Sequence, residues 1–131
     1  MSKNLNLVRW IPAILWAFVI FIQSANSAPP GADLAPDYVL HFLAYGVLAT
    51  ALLYGFSGDP RLLWKGEFHP WQAVLSALAA IAYGFTDEWH QSFVPGRTPS
   101  WHDIGADCLG ALAVAGIAII WIRLRRKQQS A

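Results

Sequence analysis

Phe85 to Asp107 reads FTDEWHQSFVPGRTPSWHDIGAD. These residues gather four carboxylates (Asp87, Glu88, Asp103, Asp107) with His90, His102, Gln91 and Arg97. Apolar, alanine-rich runs flank them: WQAVLSALAAIAYGF (71–85) before and IGADCLGALAVAGIAIIWI (104–122) after. Ionisable groups concentrated between two such runs predict a polar turn joining two membrane helices, because a hydrocarbon core about 30 Å thick needs ~20 apolar helical residues to cross.

Working outward from that turn, two more apolar runs precede it, LVRWIPAILWAFVIFIQ (7–23) and VLHFLAYGVLATALLYGF (39–56). Backbone groups in lipid must be satisfied within the segment, and none of the four runs alternates as a barrel strand does, so all four read as helices. The expectation is an all-α polytopic membrane protein, one domain over 1–131, with spans at about 7–23, 38–56, 71–91 and 103–122. The first run also fits the pattern of a cleavable signal peptide, but its core exceeds the usual length of about 7–15 residues, which favours a retained span. SANSAPPGADLAPD (24–37) and SGDPRLLWKGEFHP (57–70) carry Pro and Gly breakers and read as loops. Asp37 is the expected N-cap of the second helix, and His69-Pro70 the start of the third.

Composition agrees. Hydrophobic residues make up 56% of the chain and charged ones 13%, against about a quarter charged in soluble domains, and mean hydropathy is +0.39. Seven tryptophans suit a bilayer interface. A lone cysteine, Cys108, rules out an internal disulfide and a multi-cysteine metal site. A net charge of +1 gives no footprint for nucleic acid, and the sequence requires no cofactor. The lipid bilayer is the partner that the composition names.

Basic residues set the expected orientation. Lys3, Arg9, Arg61, Lys65, Arg123, Arg125, Arg126 and Lys127 all fall at one side of the predicted bundle, which places both termini in the cytoplasm of a multi-pass plasma-membrane protein. Arg97 alone falls at the outer side, with six of the eight carboxylates: Asp33, Asp37, Asp87, Glu88, Asp103 and Asp107.

Helical spacing then collects candidate site residues. Asp37, His41 and Tyr45 share a face at i, i+4 and i+8; Glu88 and Gln91 are three apart; Asp103 and Asp107 are four apart, with Gly110 beyond. Arg97, whose planar fork matches carboxylates, is the expected hub of a carboxylate network. Asp37 and Asp103 also suit helix N-termini as plain caps. Asp33 and Asp87 are expected to be solvated. Trp71, Trp89, Trp101 and Trp121 are expected as interfacial anchors, His90 and His102 as inert interfacial groups, and Gly84, Gly110 and Gly116 as packing residues.

These residues resemble the VanZ-like family of small integral membrane proteins. That family's signature D-E-x-x-Q-x-F-x-P-G-R, then D-x-x-x-N/D-x-x-G, is matched by Asp87-Glu88-x-x-Gln91-x-Phe93-x-Pro95-Gly96-Arg97 and by Asp103-x-x-x-Asp107-x-x-Gly110. A second signature, D-K-x-x-H-F-x-x-Y, is similar to Asp37-Tyr38-x-x-His41-Phe42-x-x-Tyr45, and Ser24 stands where the family closes its first helix with serine. Tyr38 replaces a common lysine and Asp107 a common asparagine, so this cluster is more acidic than the family pattern. The resemblance implies a cell-envelope role, since the namesake is linked to resistance against the glycopeptide teicoplanin, and it implies no reaction.

Three functions follow as expectations. In the first, an outer-face pocket of Asp37, His41, Tyr45, Glu88, Gln91, Arg97, Asp103 and Asp107 binds a lipid-linked envelope precursor or a lipoglycopeptide. In the second, a membrane hydrolase or transferase uses Glu88 as base, His41 as acid or base and Arg97 to hold an oxyanion, or His41, Glu88 and Asp107 ligate a divalent metal. In the third, the polar cluster only locks the helices of a structural subunit. No HExxH, Gly-x-Ser-x-Gly or P-loop motif is present.

Overall fold

The computed structural model describes residues 7–130. Lys3, one of the eight residues behind the orientation, lies outside them. A short 3-10 turn, Leu7–Trp10, leads into α1 (Ile11–Ser24); α2 (Asp37–Ser57), α3 (Pro60–Lys65), α4 (Pro70–Gln91) and α5 (Trp101–Gln129) follow. No strand occurs among the described residues. Three segments are long and apolar enough to cross a membrane: Leu7–Ser24, Asp37–Ser57 and Trp101–Gln129.

α2, α4 and α5 form the packed centre, and α1 leans mainly on α2. Small residues let the central three approach. Ala73, Ala77 and Ala80 make one buried stripe on α4; Ala111, Ala115 and Ala118 make its counterpart on α5, ending at Ile122. Gly110 sets the closest approach: a Cβ there would overlap the carbonyl oxygen of Phe42 on α2. Gly84 is also close-packed, whereas a Cβ on Gly116 would meet nothing within 4 Å, so Gly116 does not serve the packing expected of it.

The exterior is apolar over most of its girth. Ile14, Leu15, Phe18 and Ile22 on α1, Leu43 and Val47 on α2, and Leu109, Leu112, Ile117 and Ile120 on α5 are exposed. A soluble monomer rarely exposes an apolar patch beyond a few hundred Å², so lipid is the solvent this surface fits.

Several local expectations are corrected. The 57–70 loop contains α3, because Asp59 accepts a hydrogen bond from Arg61 N–H at 2.8 Å and Pro60 fills the first helical position. The N-cap of α2 is Pro36, leaving Asp37 as the first helical residue without a capping bond. α5 begins earlier than expected, capped by Ser100, which accepts from His102 N–H, and it runs on through the basic residues to Gln129. His69-Pro70 opens α4 as expected, with His69 N–H donating to Gln72 Oε1 at 2.8 Å. Trp121 also ties α5 to α3: its indole donates to Leu63 O at 3.1 Å and lies against the Arg125 guanidinium.

Alternating helix directions bring the end of α1, the start of α2, the end of α4 and the start of α5 to one end of the bundle. Arg9, Arg61, Lys65, Arg123, Arg125, Arg126 and Lys127 lie at the opposite end.

Candidate functional site

At the acidic end, two adjacent residues of α4 serve different neighbours. Asp87 is 4% exposed, which corrects its expected solvation, and it turns toward α1. Ser24 Oγ donates to Asp87 Oδ2 at 2.8 Å; Gln91 Nε2, one helical turn on, donates to the same oxygen at 3.1 Å. Glu88 turns the other way and accepts from Ser100 N–H, at the start of α5, at 2.9 Å through Oε2. Gln91 therefore pairs with Asp87 rather than sharing a face with Glu88 as expected. Its i, i+4 spacing from Asp87 was the available signal, since i and i+4 are helical neighbours.

On α5, Asp107 is 1% exposed and its Oδ1 accepts from His41 Nδ1 of α2 at 2.9 Å. The Gly110 crossing makes this pair reachable by holding α2 against α5. Asp103 is buried too, one turn nearer the helix start. Ser100 does the capping expected of it, which leaves the Asp103 side chain free to point elsewhere. Asp37, His41 and Asp103 each bring one ligand-type atom to within 4.8 Å of the others.

Arg97 is not the carboxylate hub expected. Its Nε donates to Asn26 O at 3.1 Å and an Nη to Gln23 O at 3.2 Å, tying its turn to the end of α1. Its only carboxylate neighbour among the described residues is Asp37, at 4.0 Å. The local sequence explains the placement. Val94-Pro95-Gly96-Arg97 is a turn closed by Arg97 N–H to Val94 O at 3.1 Å, with Gly96 at φ +84° where only glycine sits without strain, and it folds Arg97 back over α1.

A cavity of about 360 Å³ opens between α1, the 29–34 loop, α2 and the end of α4. Trp16, Val19, Leu40, Leu43 and Val47 make its apolar walls; Ser24, Asp37, His41, Tyr45, Asp87, Gln91 and Arg97 supply its polar end. The predicted residues thus divide. Asp37, His41, Tyr45, Gln91 and Arg97 line this cavity, whereas Asp103 and Asp107 on α5, and Glu88 bonded to the start of α5, do not. No hydrogen bond joins Glu88 to His41 or Arg97 among the described residues, so the expected catalytic trio is not hydrogen-bonded together. Asp33 and His102 are exposed, while His90 stacks on Phe21 at 4.6 Å.

Three buried oxygens have no partner among the described residues: Tyr45 Oη, Glu88 Oε1 and Asp107 Oδ2. Such groups are uncommon in native structures and each needs a reason.

The all-helical fold, the lipid-suited exterior and a polar end built from three helices and a loop define a small integral membrane protein. The VanZ/LLP1 family model matches residues 8–123, and the chain belongs to that family. No curated protein and no solved structure matches it.

Proposed function

We propose that this chain is a four-span plasma-membrane protein whose cavity takes the polar end of an amphipathic envelope molecule, a lipid-linked precursor or a lipoglycopeptide. The cavity carries the reading. Ligand sites are typically concave, of about 300–1,000 Å³, mostly apolar, with a few polar groups fixing orientation. Here the apolar walls lie between α1 and α2, and the rim residues Val19, Leu43 and Val47 are exposed on the lipid-suited exterior. An acyl or prenyl chain would lie along that groove while its headgroup met Ser24, Tyr45, Gln91 and Arg97.

α4 fits as the fourth span although its average hydropathy is low. Its polar residues Gln72, Ser76, Asp87, Glu88 and Gln91 are buried in the bundle, and the face left outside carries Trp71, Val74, Leu75, Leu78, Phe85 and Trp89. At roughly 33 Å it reaches across a hydrocarbon core. The basic end faces the cytoplasm by the positive-inside rule, which puts the cavity at the outer leaflet.

The test is native mass spectrometry of protein extracted in mild detergent, comparing wild type with Ala44→Phe, which fills the cavity, and Arg97→Ala. Wild type is expected to retain an amphipathic lipid that both variants lose. A monodisperse wild type with no bound lipid, or equal retention in Ala44→Phe, would overturn the reading. The envelope role is tested separately by teicoplanin and vancomycin susceptibility of a sensitive Gram-positive host expressing wild type, Glu88→Gln or Arg97→Ala at equal levels. Protection lost in a variant supports it; no protection from well-expressed wild type removes it.

A further inference from the structure

We propose that Asp37, His41 and Asp103 bind a divalent first-row cation beside the cavity, between the starts of α2 and α5. The three donor atoms already lie within 4.8 Å of one another, in a sequence where Asp37 and His41 are one helical turn apart and Asp103 faces them from the other helix.

Two observations beyond the clustering of acids point to a ligand. Asp103 is 8% exposed, and its carboxylate makes no side-chain hydrogen bond or ion pair among the described residues. A largely buried residue whose carboxylate has no partner in the fold keeps that charge available to a cation. The second is the His41–Asp107 bond. Metal-binding histidines almost always give their other ring N–H to a carboxylate or carbonyl, which fixes the ring and its tautomer. In the neutral tautomer that donates Nδ1–H to Asp107 Oδ1 at 2.9 Å, Nε2 carries the lone pair that a cation would take. Asp107 is therefore the residue that orients the histidine.

The Arg97 guanidinium, 4.0 Å from Asp37, is the cation now beside the cluster, but it is held by two backbone carbonyls and is not paired with Asp103. Both helix N-termini carry positive dipole ends, which steady the carboxylates and work against a weakly bound ion. Two carboxylates and an imidazole suit Mn²⁺ or Zn²⁺, with further positions open for water or an oxygen of a ligand. If the cavity holds a lipid headgroup, such an ion would offer an anionic group an attraction that the surrounding acids oppose. That consequence rests on the proposed function; ion binding does not.

The test is metal retention by lipid-free protein in detergent, measured by dialysis against Mn²⁺ or Zn²⁺ followed by elemental analysis. One ion per chain is expected for wild type. Asp103→Asn and His41→Gln should weaken retention at least tenfold, Asp107→Asn by about 10–100-fold, and the exposed His102→Ala not at all. Asp37→Asn, at a residue 58% exposed on its side chain, carries the test if a buried variant does not fold. A folded wild type that retains no ion, or equal retention by Asp103→Asn or Asp37→Asn, overturns the site.

Discussion

Asp87 and Glu88 are neighbours in sequence and opposites in structure. Asp87 closes a small network on the α1 side: one oxygen receives both the Ser24 hydroxyl and the Gln91 amide. Glu88 faces α5, where the network stays open; its Oε1, like Asp107 Oδ2, is buried without a partner among the described residues. A closed network ties α1 to α4. An open one keeps binding capacity that the fold itself does not use. Burial of a carboxylate alone therefore does not separate a group spent on the fold from one with binding capacity left over.

The comparison depends on the α2–α5 crossing, so the largest effect is expected there. Gly110→Ala puts a methyl group into the Phe42 carbonyl, and backbone cannot move aside as a flexible side chain would. The helices must separate, at about 3 kcal/mol, taking His41 away from Asp107. Thermal unfolding in detergent should show a large drop, together with loss of the proposed ion site. A variant as stable as wild type would mean that the crossing does not set the open network's geometry.

Next in size is the closed network. Asp87→Ala leaves a buried hydroxyl and a buried amide without their acceptor, at a cost of about 2 kcal/mol. Asp87→Asn keeps an oxygen for Ser24 and should lose less than half as much. Denaturation of the two variants side by side checks this, and equal losses would show that charge, not hydrogen bonding, holds α1 in place.

Much of this was legible beforehand, and the reasons for the rest are specific. The four apolar runs gave helices near 7–24, 37–57, 70–91 and 101–129 because span length is a property of composition along the chain. The gathering of Asp37, His41, Glu88, Gln91, Arg97 and Asp107 at one end followed from helix direction alone. Partner choice did not follow. Asp87 and Glu88 point about 100° apart around a helix, and which direction meets α1 depends on a packing angle that no local pattern encodes. Arg97 meets the carbonyls of Gln23 and Asn26 because its turn brings them within hydrogen-bond reach while Asp37 stays 4.0 Å away, a geometry that residue charge does not encode. α4 averages to low hydropathy for a related reason: its polar residues are buried in the bundle, so the mean hides an apolar outer face.

Glu88→Gln sharpens the contrast with a smaller effect. The side-chain oxygen can still accept from Ser100 N–H, and the replaced Oε1 had no bond to lose. Stability is expected within about 1 kcal/mol of wild type, while any protection against teicoplanin is lost. A stability loss as large as that of Asp87→Ala would erase the distinction between the two networks and make both structural.

The smallest effect is expected at Tyr45, where the closed and open networks meet. Its ring lies parallel to that of His41, with centroids 6.2 Å apart, and lines the cavity, while its buried hydroxyl has no partner among the described residues. Tyr45→Phe keeps the ring and deletes only that hydroxyl. A buried donor without an acceptor contributes nothing to the fold, so its removal should leave stability unchanged or raise it by about 0.5 kcal/mol. Lipid retention should nevertheless fall several-fold, because the hydroxyl sits on a cavity-lining ring and would meet the proposed headgroup. The two readouts must therefore separate. If stability falls instead, the hydroxyl has a partner within the fold, Tyr45 joins the closed network, and the cavity loses one of its polar contacts.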